Sequence, residues 1–388
     1  MPPSPTPSPT SHNPARWREV LRVGGAFLRI GATAFGGPAA HIAIMRHELV
    51  ERRKWLSEQH FLDLLGATNL IPGPNSSEMT MHIGFVRAGL GGLLAGGIAF
   101  VLPGMVITLG LAWAYTRYGT TPAAEWLLYG IKPVIIPLIV LALWSLGRKA
   151  VTDRLTAAVG IAALVLYFLG VNFVIVLLGG GLAVALIRRT VTIRALASFP
   201  LAGVGLAAPT TAESSYSLLA LAWTFLKIGG LLYGSGYVLF AFMQAELVER
   251  HGWLSEQAVI DAIAVGQMTP GPLSTSATFV GYLLGGVPAA VVATAAFYLP
   301  SFVVVALSNP LIPRIRASKA VSGLLDGVNV AALGLMAAVT WELGRAAFVD
   351  VYAVLVGGLG ALLLWRYKVG SALLVIFGAA MGLLSVLW

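Results

Sequence analysis

Two Pro-Gly-Pro triplets, at residues 72–74 and 270–272, lie in weakly apolar stretches and are each followed by hydroxyl side chains. Proline lacks the backbone N–H that a helix needs and glycine resists ordering, so each triplet interrupts a helix. The second proline suits the first turn of the helix that follows. Free N–H groups and the positive dipole end at such a start attract oxyanions. The predicted binding residues are Pro72, Gly73, Pro74, Asn75, Ser76 and Ser77, with Pro270, Gly271, Pro272, Ser274 and Thr275 in the second copy.

A single Pro-Gly-Pro triplet would more readily be a tight turn at a membrane surface. Two copies, each with hydroxyls at the same offset, favour the binding role. Interrupted backbone inside a bilayer is tolerated only where protein or a cavity satisfies its polar groups. The triplets therefore predict two helix starts that face a cavity at membrane depth.

A second glycine-rich element precedes each triplet. Glycine at these positions either exposes backbone amides to a ligand or lets helices approach closely, and the sequence favours neither explanation. The second copy departs from the first, because a serine, a glycine and a leucine replace a glycine, a proline and a histidine. The candidate residues are Gly36, Gly37, Pro38 and His41, with Gly234, Ser235 and Gly236.

Arg29 and Lys227 occupy equivalent positions in the first helix of each half. A cation inside a membrane helix is costly and usually faces a cavity or a partner, although it can also extend to the interface. Two such cations beside two helix starts would suit a dianion. Lys132, which is Asn329 in the second copy, would add charge from one side only.

Glu78 lies in the helix after the first triplet, and His82 follows one turn later. Both side chains could carry a coupled proton, since burial changes the protonation of acids and histidines. The alternative is that Glu78 pairs with a nearby cation. The second copy has Ser276 and Val280 at these positions, so this feature is asymmetric.

Enzyme chemistry finds little support in the sequence. The chain has no cysteine, and a helix that opens with His47-Glu48 has Glu51 where the second histidine of a zinc motif would stand. Neither triplet is followed by the Gly-Lys-Ser/Thr of a phosphate loop. We therefore predict a protein without catalytic residues, metal or cofactor.

The elements that position these residues occur twice. Residues 48–59, ELVERRKWLSEQ, return at 246–257 as ELVERHGWLSEQ, an offset of 198 in a chain of 388 residues. The offset becomes 197 later in each half, where it pairs Pro103 with Pro300 and Trp144 with Trp341. Duplicated membrane halves are typical of transporters, which bind substrate between the repeats.

The composition places these halves in a membrane. Hydrophobic residues make up 57% of the chain and charged residues 11%, and the mean hydropathy is +0.84. Of the charged residues, 25 are basic and 16 are acidic. Most of the basic excess falls in short loops between apolar runs, which indicates membrane orientation and excludes a nucleic-acid partner.

Apolar stretches at 91–115 and 123–147 have copies at 285–307 and 320–342, and all four are long enough to cross a bilayer. The first helix of each half is predicted near 20–45 and 217–245. The run from 155 to 187 breaks near Gly170 into two short helices, which 351–365 and 371–387 repeat.

The basic loops indicate that the two halves are inverted. Arg148, Lys149 and Arg154 make one loop basic, whereas its copy carries only Arg345 together with Asp350. Because basic loops stay inside the cell, equivalent loops lie on opposite sides. An odd number of crossings must then separate the halves, and the apolar residues 195–209 could supply one.

We therefore predict an all-α polytopic membrane protein of two inverted-topology repeats, with about six segments each and discontinuous helices at the triplets. About thirteen membrane segments result. The predicted divisions are a disordered Pro-rich tail at 1–15, repeats at 16–194 and 216–388, and a linker with a possible extra crossing at 195–215.

These motifs together resemble the chromate ion transporter family in its two-domain form. The resemblance rests on Phe35 to His41, the repeated box at 48–59, Asn69 to Pro74, and their copies between Tyr233 and Pro272. It implies a multi-pass protein of a bacterial or archaeal inner membrane that exports chromate and confers resistance, with the proton gradient as the suggested driving force. The replacement of His41 by Leu239 favours binding or gating by one half and a scaffold role for the other.

The predicted function is secondary transport of chromate, with sulfate as a competitor, the lipid bilayer as surroundings and a homodimer as an optional assembly. Two alternatives within transport are a sulfate or other oxyanion carrier and a channel without proton coupling. A third, from another class, is a membrane assembly or sensory protein whose triplets are structural.

Overall fold

The computed structural model describes residues 14–35, 37–68, 71–119, 121–188, 216–233, 236–308 and 319–385. Within these ranges the regular elements are helices, as predicted. The first half contains α1 (Pro14–Thr33), α2 (Gly37–Met45), α3 (Glu58–Thr68), α4 (Asn75–Tyr118), α5 (Pro122–Ala150), α6 (Arg154–Phe168) and α7 (Phe173–Ile187). The second half contains α8 (Leu218–Leu231), α9 (Val238–Met243), α10 (Glu256–Met268), α11 (Ser276–Ser308), α12 (Lys319–Ala347), α13 (Val351–Arg366) and α14 (Ser371–Leu384).

Within the described part of the chain, four stretches are long and apolar enough to cross a membrane, and they match the four predicted long segments. They are Asn75–Tyr118, Pro122–Ala150, Leu273–Ser308 and Ser322–Ala347. The break predicted near Gly170 is also confirmed, because α6 ends at Phe168 and α7 begins at Phe173. The predicted tail at 1–15 falls mostly, and the linker at 195–215 entirely, outside the described residues, so the repeat boundaries stay a prediction.

The first helix of each half is interrupted, and the prediction of single helices near 20–45 and 217–245 is wrong. The chain leaves the helical path after Thr33 in the first half and after Leu231 in the second. Gly37 has a φ of +79°, a left-handed value that glycine adopts without strain. Each predicted first helix is therefore two helices, α1 with α2 in the first half and α8 with α9 in the second.

Helix α4 is two helices joined by a sharp turn. Ala88 and Gly89 are non-helical, and Gly89 has a φ of +63°. A Cβ on Gly84 would overlap the Gly92 carbonyl oxygen, so residues 75–87 (α4a) pack antiparallel against residues 90–118 (α4b).

The second half repeats this hairpin. Its turn lies at Gly285 and Gly286, and it joins residues 276–284 (α11a) to residues 287–308 (α11b). Thr278 and Thr294 are hydrogen-bonded across it at 2.7 Å.

In the first half, the start of α1, the repeated box and the turn within α4 lie at the same end of the protein. Arg87, beside the α4 turn, forms a 2.8 Å ion pair with Glu19 at the start of α1. Its guanidinium also lies 5.1 Å from the ring centroid of Trp55 in the repeated box. The α1–α2 and α3–α4a pairs are therefore re-entrant hairpins, which add membrane segments but no crossings.

The long helices exchange partners between the halves. Helix α5 packs against α13 and α14 of the second half, while its counterpart α12 packs against α6 and α7 of the first. A Cβ on Gly130 in α5 would overlap the Gly378 carbonyl oxygen in α14. Such reciprocal packing relates the two repeats by an approximate two-fold axis, and it ties the halves into one body.

The inverted arrangement predicts where two loops lie. Reporter fusions placed after Lys149 and after Asp350 are expected to report opposite sides of the membrane, because equivalent loops of inverted repeats face opposite compartments. Alkaline phosphatase and green fluorescent protein fusions in whole cells would measure this. The same side for both positions would contradict the inversion.

Candidate functional site

The two Pro-Gly-Pro loops meet at the centre of the protein through a reciprocal pair of hydrogen bonds. The Gly73 N–H donates to the Leu232 carbonyl oxygen at 2.6 Å, and the Gly271 N–H donates to the Ala34 carbonyl oxygen at 2.9 Å. Both pairs obey the repeat offset of 198, so each triplet bonds to the end of the other half's first helix. Four interrupted helix ends therefore converge at one place.

This place lies halfway along the longest membrane helices. A Cβ on Gly104 would lie 2.7 Å from the Pro270 carbonyl oxygen, and Gly104 is the middle residue of α4b. At 1.5 Å per residue, either end of α4b is about 21 Å away. The loops thus lie at membrane depth, where interrupted backbone must be enclosed by protein or line a cavity.

Each triplet begins a helix, as predicted, but in a different register. Pro74 is the residue before α4, with extended backbone, and its carbonyl oxygen accepts the N–H groups of Ser77 and Glu78 at 2.8 and 3.1 Å. Pro272 precedes a 3₁₀ turn over Leu273–Thr275 that leads into α11. The prolines therefore cap the helices from outside rather than occupy the first turn.

Buried hydroxyl groups surround the two helix starts. Ser76, Ser77, Ser274 and Thr275 are each at most 3% exposed. The Ser274 and Tyr298 hydroxyl oxygens lie 2.5 Å apart, and the same phenol lies near Ser77 of the other half, outside hydrogen-bond geometry. The tyrosine hydroxyl is thus close to serines of both helix starts.

The structure brings Glu78 into the same region. Its carboxylate is fully buried, and the Ser301 hydroxyl lies beside it outside hydrogen-bond geometry. Among the described side chains no cation pairs with Glu78, so the pairing alternative finds no support there. His82 is buried one turn further along α4a.

The first glycine-rich turn lies against the second half, whereas the second turn contacts a residue of its own half. A Cβ on Gly37 would lie 3.2 Å from the Tyr237 hydroxyl oxygen, and one on Gly236 would touch the Leu273 side chain. Pro38 is half-buried beside this turn. His41 is buried beside the Ala34 backbone, and its ring meets Phe100 edge-on at 5.5 Å. Gly36, Gly234 and Ser235 are outside the described residues.

The predicted cations are not placed at the loops. Arg29 is exposed, because the opposite face of α1 packs onto α4 through Val23, Phe27 and Ile30. Lys227 forms a 2.7 Å ion pair with Glu246 of the repeated box. The structure therefore brings together the triplets, their hydroxyls and Glu78, and leaves Arg29 and Lys227 out.

We expect the two cations to differ in their effect on stability and to leave substrate affinity unchanged. Arg29→Ala should change the free energy of unfolding by less than about 0.5 kcal/mol, as for most exposed residues. Lys227→Ala should destabilise by about 1–3 kcal/mol, because it removes a partner of the buried Glu246 carboxylate. Thermal unfolding in detergent measures the stability of each variant, and oxyanion binding measures its affinity. A large loss of affinity in both variants would place the cations at the site after all.

Comparison with known proteins agrees with the repeat architecture. A sequence profile described as "Chromate transporter" matches residues 21–185 and again residues 219–383. The "Chromate transport protein" of Pseudomonas aeruginosa is 33% identical over 378 residues, which cover 92% of this chain and 90% of that protein. The "Probable chromate transport protein" of Synechococcus elongatus is 31% identical over 369 residues, with coverage of 92% and 93%.

A third relative, the "Chromate transport protein" of Cupriavidus metallidurans, is 30% identical over 364 residues and covers 92% of this chain and 90% of its own. No solved structure matches the chain. The similarity to these relatives therefore extends through both halves.

Proposed function

The chain belongs to the chromate transporter family, and on that premise we propose that it exports chromate through the site where the four helix ends converge. The observation that carries the proposal is the reciprocal pair of bonds from Gly73 to Leu232 and from Gly271 to Ala34. It holds two helix starts, with their hydroxyls, against each other at mid-membrane depth.

Neutral donors hold the anion in this proposal. Chromate is a tetrahedral dianion, and the hydroxyls of Ser77, Ser274, Thr275 and Tyr298 lie between two helix starts that also offer backbone N–H groups. The described side chains at the loops include no cation. The undescribed residues there, Gly36, Asn69, Leu70, Gly234 and Ser235, are uncharged by sequence.

Glu78 supplies the proton coupling. An ionised carboxylate without a partner is costly in a buried site, and it would repel an entering dianion. A protonated Glu78 removes the repulsion and offers one more hydrogen-bond donor. Chromate would therefore bind together with a proton, and Glu78 would carry that proton.

The membrane potential favours export. A cell interior is negative, and each elementary charge that crosses the membrane gains about 2.3 kcal/mol per 100 mV. A dianion leaving the cell gains about twice this amount, and a dianion accompanied by one proton gains about the single amount. The inner membrane, which carries this potential in bacteria, is the proposed location.

The two halves would expose the site alternately. The approximate two-fold axis passes between the triplets, so a small rotation of one half against the other opens a path to one side and closes the other. Because α5 and α12 each pack into the opposite half, they would form the frame about which the hairpins move.

Sulfate is the expected competitor. It has nearly the size and charge of chromate, so hydrogen-bond donors of fixed geometry discriminate weakly between them. Selectivity would then depend on the fine spacing between Ser77, Ser274 and Tyr298.

Flux of radiolabelled chromate and sulfate in proteoliposomes tests the proposal. With an imposed potential, we expect chromate movement toward the positive side, inhibition by sulfate, and a dependence on the pH gradient. A chromate flux that keeps rising with chromate concentration and never saturates would favour a channel. Absence of any oxyanion flux would overturn transport and favour a membrane assembly or sensory protein.

A further inference from the structure

The two halves are not equally enclosed. Helix α10 is buried from Val259 to Gln267 and packs against α5, α12 and α14, whereas its counterpart α3 makes no comparable contacts with α5, α7 or α12. Ile260 in α10 is 0% exposed, while the equivalent Leu62 in α3 is 46% exposed. The side chains of α1, α2 and α3 also form an apolar cluster apart from the main core, together with residues of the repeated box and with Met79, Ile83 and Phe100 of α4. The protein is therefore closed around α10 and open around α3.

An ion pair between the halves lies at the closed side. Asp261 of α10 is buried, and the Lys132 Nζ of α5 lies 3.6 Å from its Oδ1 atom. The Tyr115 hydroxyl of α4b donates to the other oxygen, Oδ2, at 2.8 Å. Among the described residues none donates a hydrogen bond to the Oδ1 atom, so the lysine charge is what stabilises it there.

The residues equivalent to Lys132 and Asp261 cannot form an ion pair with each other. The counterparts of Asp261 and Lys132 are Asp63 and Asn329, and an asparagine carries no charge. The asymmetry of the charges therefore coincides with the asymmetry of the packing.

The position of the pair suits a gate. Asp261 lies nine residues before Pro270 on one helix, so it is about 13 Å from the loop at the site. Tyr115 lies three residues from the end of α4. The ion pair is thus between the central site and one membrane face.

We propose that Lys132 and Asp261 form a proton-operated gate of the transport path. Because it is a gate for the carried anion, it rests on the function proposed above. A proton from water on that face binds the Asp261 Oδ1 atom and leaves a neutral carboxylic acid. Lys132 keeps its own proton, and its charge becomes available to the entering dianion. Release of the proton to water restores the carboxylate and the ion pair.

The proton is required because the unassisted opening is costly. Separating a buried ion pair leaves an uncompensated charge, which destabilises a protein strongly. Protonation removes the buried charge, and Lys132, which is 19% exposed, can reach water. In the described residues, Lys132 of α5 and Tyr115 of α4b are the titratable groups paired with Asp261, and no charged group of α11, α12 or α14 is paired with it.

Thiol labelling measures the gate without measuring transport. The chain contains no cysteine, so Ile260→Cys introduces a single buried thiol beside Asp261. A water-soluble maleimide applied to open membranes should label it slowly. Adding Asp261→Asn, which imitates the protonated acid, should raise the labelling rate at least about tenfold at the same pH, as expected when a minor open state becomes the major one. Adding Asp63→Asn instead is the matched control and should leave the rate unchanged.

The outcomes separate the gate from the proposed function. Equal slow labelling with and without Asp261→Asn overturns the gate, whatever the transport result. Fast labelling in a protein that moves no oxyanion supports the gating movement and overturns chromate transport. If Asp261→Asn fails to fold, Lys132→Gln combined with Asp261→Asn removes both charges and must also label fast; slow labelling of that variant overturns the gate.

Discussion

Glu78→Gln is expected to make chromate binding at the central site independent of pH. The wild-type protein should bind chromate more weakly as the pH rises, because an ionised Glu78 would repel the dianion. The two negative charges of chromate and the one of Glu78, separated by about 6 Å at an effective dielectric of about 20, repel by roughly 5 kcal/mol. About 2.8 kcal/mol of this repulsion would already weaken chromate binding a hundredfold. Glutamine stays neutral, so its variant should bind chromate at high pH as at low pH.

Chromate binding by isothermal titration across a pH series would measure this effect. His82→Gln is the matched control, since His82 lies one turn from Glu78 on α4a and is equally buried. It should keep the pH dependence. If His82→Gln removes the dependence and Glu78→Gln keeps it, the histidine carries the proton and the role given to Glu78 is wrong.

Gly73→Ala is expected to abolish transport and to destabilise the protein by about 2–5 kcal/mol, from left-handed backbone strain and overpacking together. Gly73 has a φ of +145°, which other residues rarely adopt. Its Cβ would also overlap the Glu78 carboxylate and the Ser301 hydroxyl. The substitution therefore displaces the loop whose N–H binds Leu232.

Two further glycines calibrate the effect. At Gly271, φ is +86° and a Cβ would lie 3.2 Å from the Gly31 carbonyl oxygen, so Gly271→Ala should be damaging but less severe. A Cβ on Gly110 would meet no described atom within 4 Å beyond its own stretch of helix backbone. Gly110→Ala should therefore be neutral or stabilising. Thermal unfolding in detergent ranks the three. A Gly73→Ala variant as stable and active as the wild type would contradict the reciprocal loop geometry.

The sequence is informative where the two halves agree. The offset of 198 by itself pairs the triplets at 72–74 and 270–272, and the hydrogen bonds of Gly73 and Gly271 follow the same offset. Length and apolar character also identify the four long spans. These features repeat because both halves need them, so an internal comparison of the chain can find them.

The asymmetric residues cannot be predicted in this way. Tyr298 and Ser301 correspond to Val101 and Gly104, and both lie within a long apolar span where a single hydroxyl has no distinctive context. Asp261 matches Asp63, but its partner Lys132 lies on a helix of the other half. Such contacts depend on how the halves pack, which local pattern does not specify.

The re-entrant hairpins escape sequence-based prediction for a similar reason. The turn at Gly89 lies in a glycine-rich stretch that also contains helical glycines, so composition does not reveal which one reverses the chain. Arg29 shows a second kind of difference between sequence and structure. Its depth within the first helix predicts a site residue, but the face of α1 on which it lies points away from α4.

The location of bound chromate tests the central claim most directly. Chromium scatters X-rays anomalously, so crystals grown with chromate would show its position without reference to the protein. We expect one dominant peak between the triplets, within about 4 Å of the hydroxyls of Ser77, Ser274 and Tyr298, as hydrogen-bonded oxyanion oxygens require. A dominant peak elsewhere, such as beside the exposed Arg29, would contradict it.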